Sequence, residues 1–161
     1  MSSAVKVSYQ TTLRVRDYFV CLHVQRAGRV LARRFDQALR PLQLTSGQFS
    51  LLMSLNRPQA PAMAAVASLL GMDRTTLTAA LKPLKLGGLV RVTPDPADRR
   101  SRLMTLTPTG LALLARAVPV WERTHAAVER LIRDGDPDSL RNNLRALSRS
   151  VFGPSPIIPP H

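Results

Sequence analysis

The sequence predicts a mainly α-helical protein that carries one small β-hairpin, and three observations predict it. Long stretches near both ends repeat apolar residues at three- and four-residue spacing, the middle holds two short helical patterns joined by a glycine-containing turn, and between residues 89 and 107 the apolar period drops to two. A helix, a tight turn, a helix and then a hairpin is the order of a winged helix-turn-helix domain. The combination is far more specific than either half. The surplus of apolar helix at the two ends predicts dimerisation helices outside that domain.

Residues 13–40 place Val20, Val24, Ala27, Leu31, Phe35 and Ala38 on one helical face, and Pro41 is expected to stop the helix. Its other face holds Arg26, Arg29, Arg33 and Arg34, either a solvated face or support for a phosphate backbone. In "LTSGQFSLLMSLNRP", Thr45 and Gln48 stand at the spacing of a capping box, and Phe49, Leu52 and Leu55 supply a buried side before Pro58. The stretch "AMAAVASLLGM" reads as a third helix with Val66, Leu69 and Leu70 inward and Gly71 in the left-handed closing position. Asp73 caps a fourth helix, within which Pro83 is expected to remove a hydrogen bond and produce a kink.

After Gly87 and Gly88, "LVRVT" and "RLMTLT" alternate around the turn "PDPADRRS". Thr107 followed by Pro108 starts a helix running towards residue 133, with Leu111, Leu114, Val118, Trp121 and Val128 among its apolar positions and a bend expected at Pro119. Asp136 and Pro137 open a last helix whose Leu140, Leu144, Leu147 and Val151 form a narrow seam suited to another helix. The tail "GPSPIIPPH" is too rich in proline for regular structure. The domain reading is one unit over 1–161, with dimerisation helices at 13–40 and 108–152, a DNA-binding region at 45–107 and a proline-rich tail at 153–161.

Composition narrows the function. The chain has 161 residues, 45% of them hydrophobic, and a formal net charge of +13, an excess that points to an anionic partner. No run approaches the roughly 20 apolar residues that cross a bilayer, and the start "MSSAVKVSYQ" lacks the apolar core of a secretory signal. A soluble, cytoplasmic protein with no membrane partner is the expectation. His23, His125 and His161 lack metal-ligand spacing, and no glycine-rich phosphate loop or nucleophile elbow occurs, so neither an enzyme, a metal nor a cofactor is expected. The one cysteine, Cys21, forms no internal disulfide and is either a small buried hydrophobe or a reactive thiol.

At the start of the fourth helix, Arg74, Thr75, Thr76 and Thr78 combine a long fork donor with short hydroxyls that serve bases or phosphates. The competing role for Thr75 and Thr76 is to finish the cap. Lys82, two turns on, suits a phosphate. In the hairpin turn, Arg99, Arg100 and Arg102 put positive charge on a projecting element, where a narrow groove concentrates negative potential.

Together, the helix order and the segments "LTSGQFSLLMSL", "LLGMDRTTLTAALKPLKLGGLVRV" and "DPADRRSRLMTLTPTG" resemble the MarR family of transcriptional regulators over roughly residues 18–152. The resemblance implies a homodimer that binds pseudo-palindromic double-stranded DNA, usually as a repressor, and is released by a small anionic or phenolic effector or by cysteine oxidation. It further implies that Arg100 enters the minor groove while Asp98 holds its fork. Lys85, where the family more often has an acidic residue, and Pro83 depart from the pattern. Cys21 matches the position of the peroxide-sensing cysteine in one branch, but Gln25 and Phe35 stand where that branch places tyrosines. The favoured expectation is therefore a small-molecule effector in a cleft between dimer helices and winged domain, with Cys21, and His23 if the cleft lies beside it, as wall. A redox sensor and a non-sensing architectural DNA-binding protein are the alternatives.

Overall fold

The computed structural model describes residues 7–152. Seven helices and one hairpin follow in the order α1 (Tyr9–Tyr18), α2 (Val20–Leu39), a 3-10 turn (Arg40–Leu42), α3 (Ser46–Leu55), α4 (Met63–Leu70), α5 (Arg74–Leu86), β1 (Val90–Pro94), β2 (Arg102–Leu106), α6 (Pro108–Glu129) and α7 (Pro137–Phe152). The chain divides into two compact units between Arg34 and Phe35. The proline-rich tail at 153–161 lies outside the described residues.

In the first unit, the single helix expected from residue 13 is two helices. Ser8 caps α1 through a 3.2 Å bond from the Thr11 amide, and the chain leaves the helical region at Phe19 (φ −76°, ψ 97°). Three bulky residues in succession, Tyr18, Phe19 and Val20, weaken the helix there. The break frees the Asp17 carbonyl, which lies 3.1 Å from Nε2 of His23. Beyond the unit boundary, in the second unit, Pro41 sits inside the 3-10 turn, and Gln43 closes it in the left-handed region at φ 55°.

The second unit holds the core. Thr45 and Gln48 form the expected capping box, so α3 starts where the sequence placed it and buries Phe49, Leu52 and Leu55. α4 ends at Gly71, whose φ of 64° suits a residue without a Cβ. Of its expected inward residues, Val66 is buried but Leu69 is 36% exposed. The core-facing stripe of this short helix is Met63, Val66, Ala67 and Leu70, and Leu69 falls one residue off that spacing. The hairpin pairs Val90 with Leu106 through to Pro94 with Arg102. The segment entering α4 joins its edge: Ala62 bridges to Leu103, and the Met104 amide donates to the Pro61 carbonyl at 3.1 Å.

Thr107 caps α6, which continues through Pro119 but ends at Glu129, short of residue 133. Leu114 and Ala117 face the core, whereas Leu111 is 50% exposed, because the buried stripe runs through Gly110, Leu114 and Ala117. Phe49 stacks on Trp121 at 6.3 Å between ring centroids, and Trp121 on His125 at 4.9 Å. Arg141 of α7 reaches back to Glu129 at 2.6 Å and to Asp138, fixing the α6–α7 corner. Leu140 and Leu144 lie on α7 with 44% and 40% of their surface exposed in the single chain. The Val151 side chain lies outside the described ones.

Candidate nucleic-acid interface

Helix α5 is held by its buried residues Leu77, Leu81 and Leu84. That leaves Arg74, Thr75, Thr76, Thr78 and Lys82, all named from the sequence, exposed. Asp73 caps the helix by accepting the Thr76 amide at 2.7 Å. Hydrogen bonding from Thr76, and next from Thr75, holds its carboxyl below the usual carboxylate range. The helix N-terminus is thus already paired with a carboxylate, and a phosphate has to be met by side chains rather than by the bare helix end. Thr78 spends its proton on the Arg74 carbonyl at 2.8 Å. In this geometry its oxygen offers only lone pairs, which suits a base amino group and not a phosphate. The helix crosses Pro83 and runs on to Leu86.

The joint between α5 and the wing is rigid. The Leu89 amide bonds the Leu84 carbonyl at 2.9 Å, and Gly88 bends the chain at φ 68°. Thr107 fastens the far side of the hairpin to the same spot: its hydroxyl donates to the Gly88 carbonyl at 2.6 Å and its amide to the Leu89 carbonyl at 3.0 Å. Gly110 follows because the first turn of α6 lies against the Leu89 backbone so closely that an added Cβ would collide with the Leu89 carbonyl oxygen. Helix α5, the hairpin and α6 are therefore clamped at one point.

Arg99 and Arg100 in the wing loop and Arg102 at the start of β2 are exposed. None of these, nor Arg74 or Lys82, forms an ion pair among the described residues. In the single chain Asp98 Oδ1 accepts the Arg100 main-chain N–H at 2.9 Å, and no ion pair joins Asp98 to the Arg100 fork. A carboxylate two residues ahead reaches the amide with no cost in ordering a long side chain. Sequence reasoning missed Asp95, which caps the Ala97 amide in the same way at 2.9 Å, and Arg91, exposed on β1 opposite Thr105. Two aspartates each two residues ahead of a turn amide were the available signal for the first.

Cys21 and His23 lie in the other unit. Cys21 is exposed in the single chain, with the Gln25 amide nitrogen 3.4 Å from its sulfur, so the buried reading is not met within one chain. His23 serves the break at Phe19 through its contact with the Asp17 carbonyl. No group of histidine, cysteine and carboxylate side chains among the described residues could hold a metal ion. No helix among them is long and apolar enough to cross a membrane.

The MarR family model matches residues 44–101, from the buried leucine ahead of α3 to the serine that closes the wing loop. The transcriptional regulator PecS of Dickeya dadantii is 30% identical over 138 residues, 84% of this chain and 81% of PecS. The chain belongs to the MarR family. Other curated MarR-type relatives are matched over 48–61% of their own length. Among solved structures, the M. tuberculosis regulator MosR in complex with DNA is 37% identical, with a TM-score of 0.74 over 81% of this chain and 94% of that one. Bordetella bronchiseptica BpsR, whose DNA binding is regulated by 6-hydroxynicotinic acid, is 30% identical, with a TM-score of 0.71 over 80% of this chain and 92% of that one. The α3-to-wing segment built above is thus the shared MarR core, and the chain is a MarR-type winged-helix regulator.

Proposed function

We propose that this chain acts in the cytoplasm as a homodimeric, sequence-specific DNA-binding repressor and not as an enzyme, released from a pseudo-palindromic operator by a small anionic or phenolic effector. The observation that carries the reading is the clamp at Leu89, which fixes a capped α5 with exposed Arg74, Thr75 and Thr76 to a wing of three unpaired arginines. One element suits the major groove and the other an adjacent minor groove. The DNA complex of MosR and the ligand regulation of BpsR support the partner and the effector class. The exposed leucines of α7 and the exposed Val20 and Val24 of α2 support a second copy.

The test compares two variants on a duplex that the wild-type protein selects from random DNA, with an unselected duplex as reference. A regulator prefers the selected duplex by about a thousandfold or more, whereas an architectural binder does not. Arg100→Ala weakens the selected complex by roughly 1–3 kcal/mol and relaxes preference at its flanks, while Lys82→Ala weakens all sequences alike and lowers the salt slope by about one. Parent-like binding by Arg100→Ala would remove the wing from the interface.

A further inference from the structure

Helix α5 turns one face away from the core. Leu77, Leu81 and Leu84 are buried, and at about 3.6 residues per turn the opposite strip runs through Thr75, Thr78, Ala79 and Lys82, all of them exposed. Although the chain has a net charge of +13, its long donors stand only at the ends of this strip. Arg74 lies one turn before Thr78, and Lys82 one turn after it. Between them, Thr78 donates its hydroxyl proton to the Arg74 carbonyl at 2.8 Å, and Ala79 carries only a methyl group. The centre of the strip therefore offers two methyl groups, the lone pairs of one oxygen and no hydrogen-bond donor.

We infer that Thr78 and Ala79 are specificity-determining residues that read an A·T base pair, with Thr78 Oγ1 accepting from the adenine N6 amino group and the two methyl groups packing on the thymine C5 methyl. The inference rests on reading α5 as the helix that enters the major groove. There a guanine presents two acceptors, N7 and O6, and the centre of the strip has no donor to meet them. Acceptors that exchange water for methyl groups stay unpaired, which is costly. A cytosine presents an amino donor, but it carries no C5 methyl and its partner is that same guanine. Adenine paired with thymine presents an amino donor and a methyl group together, and each has a counterpart here. A phosphate presents acceptors alone, so the lone pairs of Thr78 have nothing to take from it.

The experiment changes the DNA first, so that the protein stays intact. The full chain selects a duplex from random DNA, and in that duplex each adenine is replaced in turn by unsubstituted purine, which lacks the N6 amino group, and each thymine by uracil, which lacks the C5 methyl. At one pair in each half-site, purine weakens binding about two- to tenfold, the loss of one hydrogen bond. Uracil at the same pair weakens it about three- to fivefold, the loss of one buried methyl. Thr78→Val keeps the methyl groups and removes the oxygen, so the purine penalty disappears and the uracil penalty stays. Thr78→Ser and Ala79→Gly do the reverse: each shrinks the uracil penalty and leaves the purine penalty. Every penalty is a ratio for one protein on two duplexes, so a loss of stability in a variant cancels. A parent indifferent to both replacements at every position overturns the inference, as does a purine penalty that survives in Thr78→Val, and either result leaves the regulator reading standing. A parent that binds all duplexes alike fails the regulator reading itself, and the inference falls with it.

Discussion

The helices on either side of the winged region and the helices inside it carry the same apolar period with opposite outcomes. In α3 and α5, Leu51, Leu52 and Leu77 are at most 1% exposed. In α2 and α7, Val20, Val24, Leu140 and Leu144 keep between 40% and 59% of their surface. Periodicity reports that a helix has an apolar face; it does not report whether the covering surface belongs to the same chain. Where the sequence also supplies caps and turns at short range, as at Thr45, Gly71, Asp73 and Thr107, the apolar faces close on each other within one unit. In α7, which Asp136 caps, and in α2 the apolar face stays uncovered all the same, and a second copy is the economical cover.

The strongest way to break that comparison is to charge the uncovered face. Replacing Leu140 and Leu144 together by aspartate removes the 40–44% of each leucine left for a partner to bury, about 0.6–1.3 kcal/mol apiece. Each copy contributes both, so the dimer dissociation constant rises by about a hundredfold or more. Light scattering at micromolar concentration then gives the mass of one chain where the parent gives two. The winged region keeps its own thermal transition, because its core is closed within the chain. A parent-like mass for the double variant would mean that α7 does not form the seam.

The second test strikes the closed region and leaves the seam intact. Gly110→Ala sets a Cβ against the Leu89 carbonyl, and a backbone atom cannot rotate away. The cost lies at the upper end for overpacking, about 3 kcal/mol, and lowers Tm by roughly 6–12 °C for a chain of this size. DNA affinity falls with it, since the clamp sets the angle between α5 and the wing, while the mass by light scattering stays that of a dimer. An unchanged melting temperature would show that α6 can step back from β1, and the joint would not be rigid.

What the residues disclosed depended on range. The capping box at Thr45 and Gln48 and the Asp73 and Asp136 caps are settled by groups a few residues apart, and all were legible. So was the exposed face of α5, because Leu77, Leu81 and Leu84 must point the other way. Gly110 was not, since its reason lies in a carbonyl twenty-one residues earlier in the chain, and neither was the bridge from Ala62 to Leu103. Leu69 was assigned inward because apolarity was taken for burial, on a helix whose buried stripe is narrower than its apolar content. The break at Phe19 was not legible because no proline or glycine marks it in the sequence. At the wing, Asp98 was legible, and its bond to the Arg100 amide was not.

The smallest effect expected is a pH dependence, and it distinguishes a charged cap from a merely polar one within the closed region. Asp73 has its folded pKa depressed by hydrogen bonds from Thr76 and Thr75. A depressed carboxylate contributes stability that is fully present above its unfolded pKa, about 4, and is lost as pH falls through the lower folded value. Asparagine at position 73 accepts the same Thr76 amide without a charge and caps nearly as well at neutral pH. Melting temperatures of parent and Asp73→Asn are thus expected to differ by a small constant amount from pH 7 to pH 5. Below about pH 4 the parent declines relative to the variant, because only the parent has a charge to lose. Glu129 and Asp136, depressed by Arg141 and by the amides of Asp138 and Ser139 respectively, titrate in both proteins and cancel in the difference. Parallel curves down to pH 3 would show that the Asp73 charge adds nothing beyond its hydrogen bond. Replacing it by asparagine would then remove a negative charge from the N-terminal end of α5 with no loss of stability at any pH.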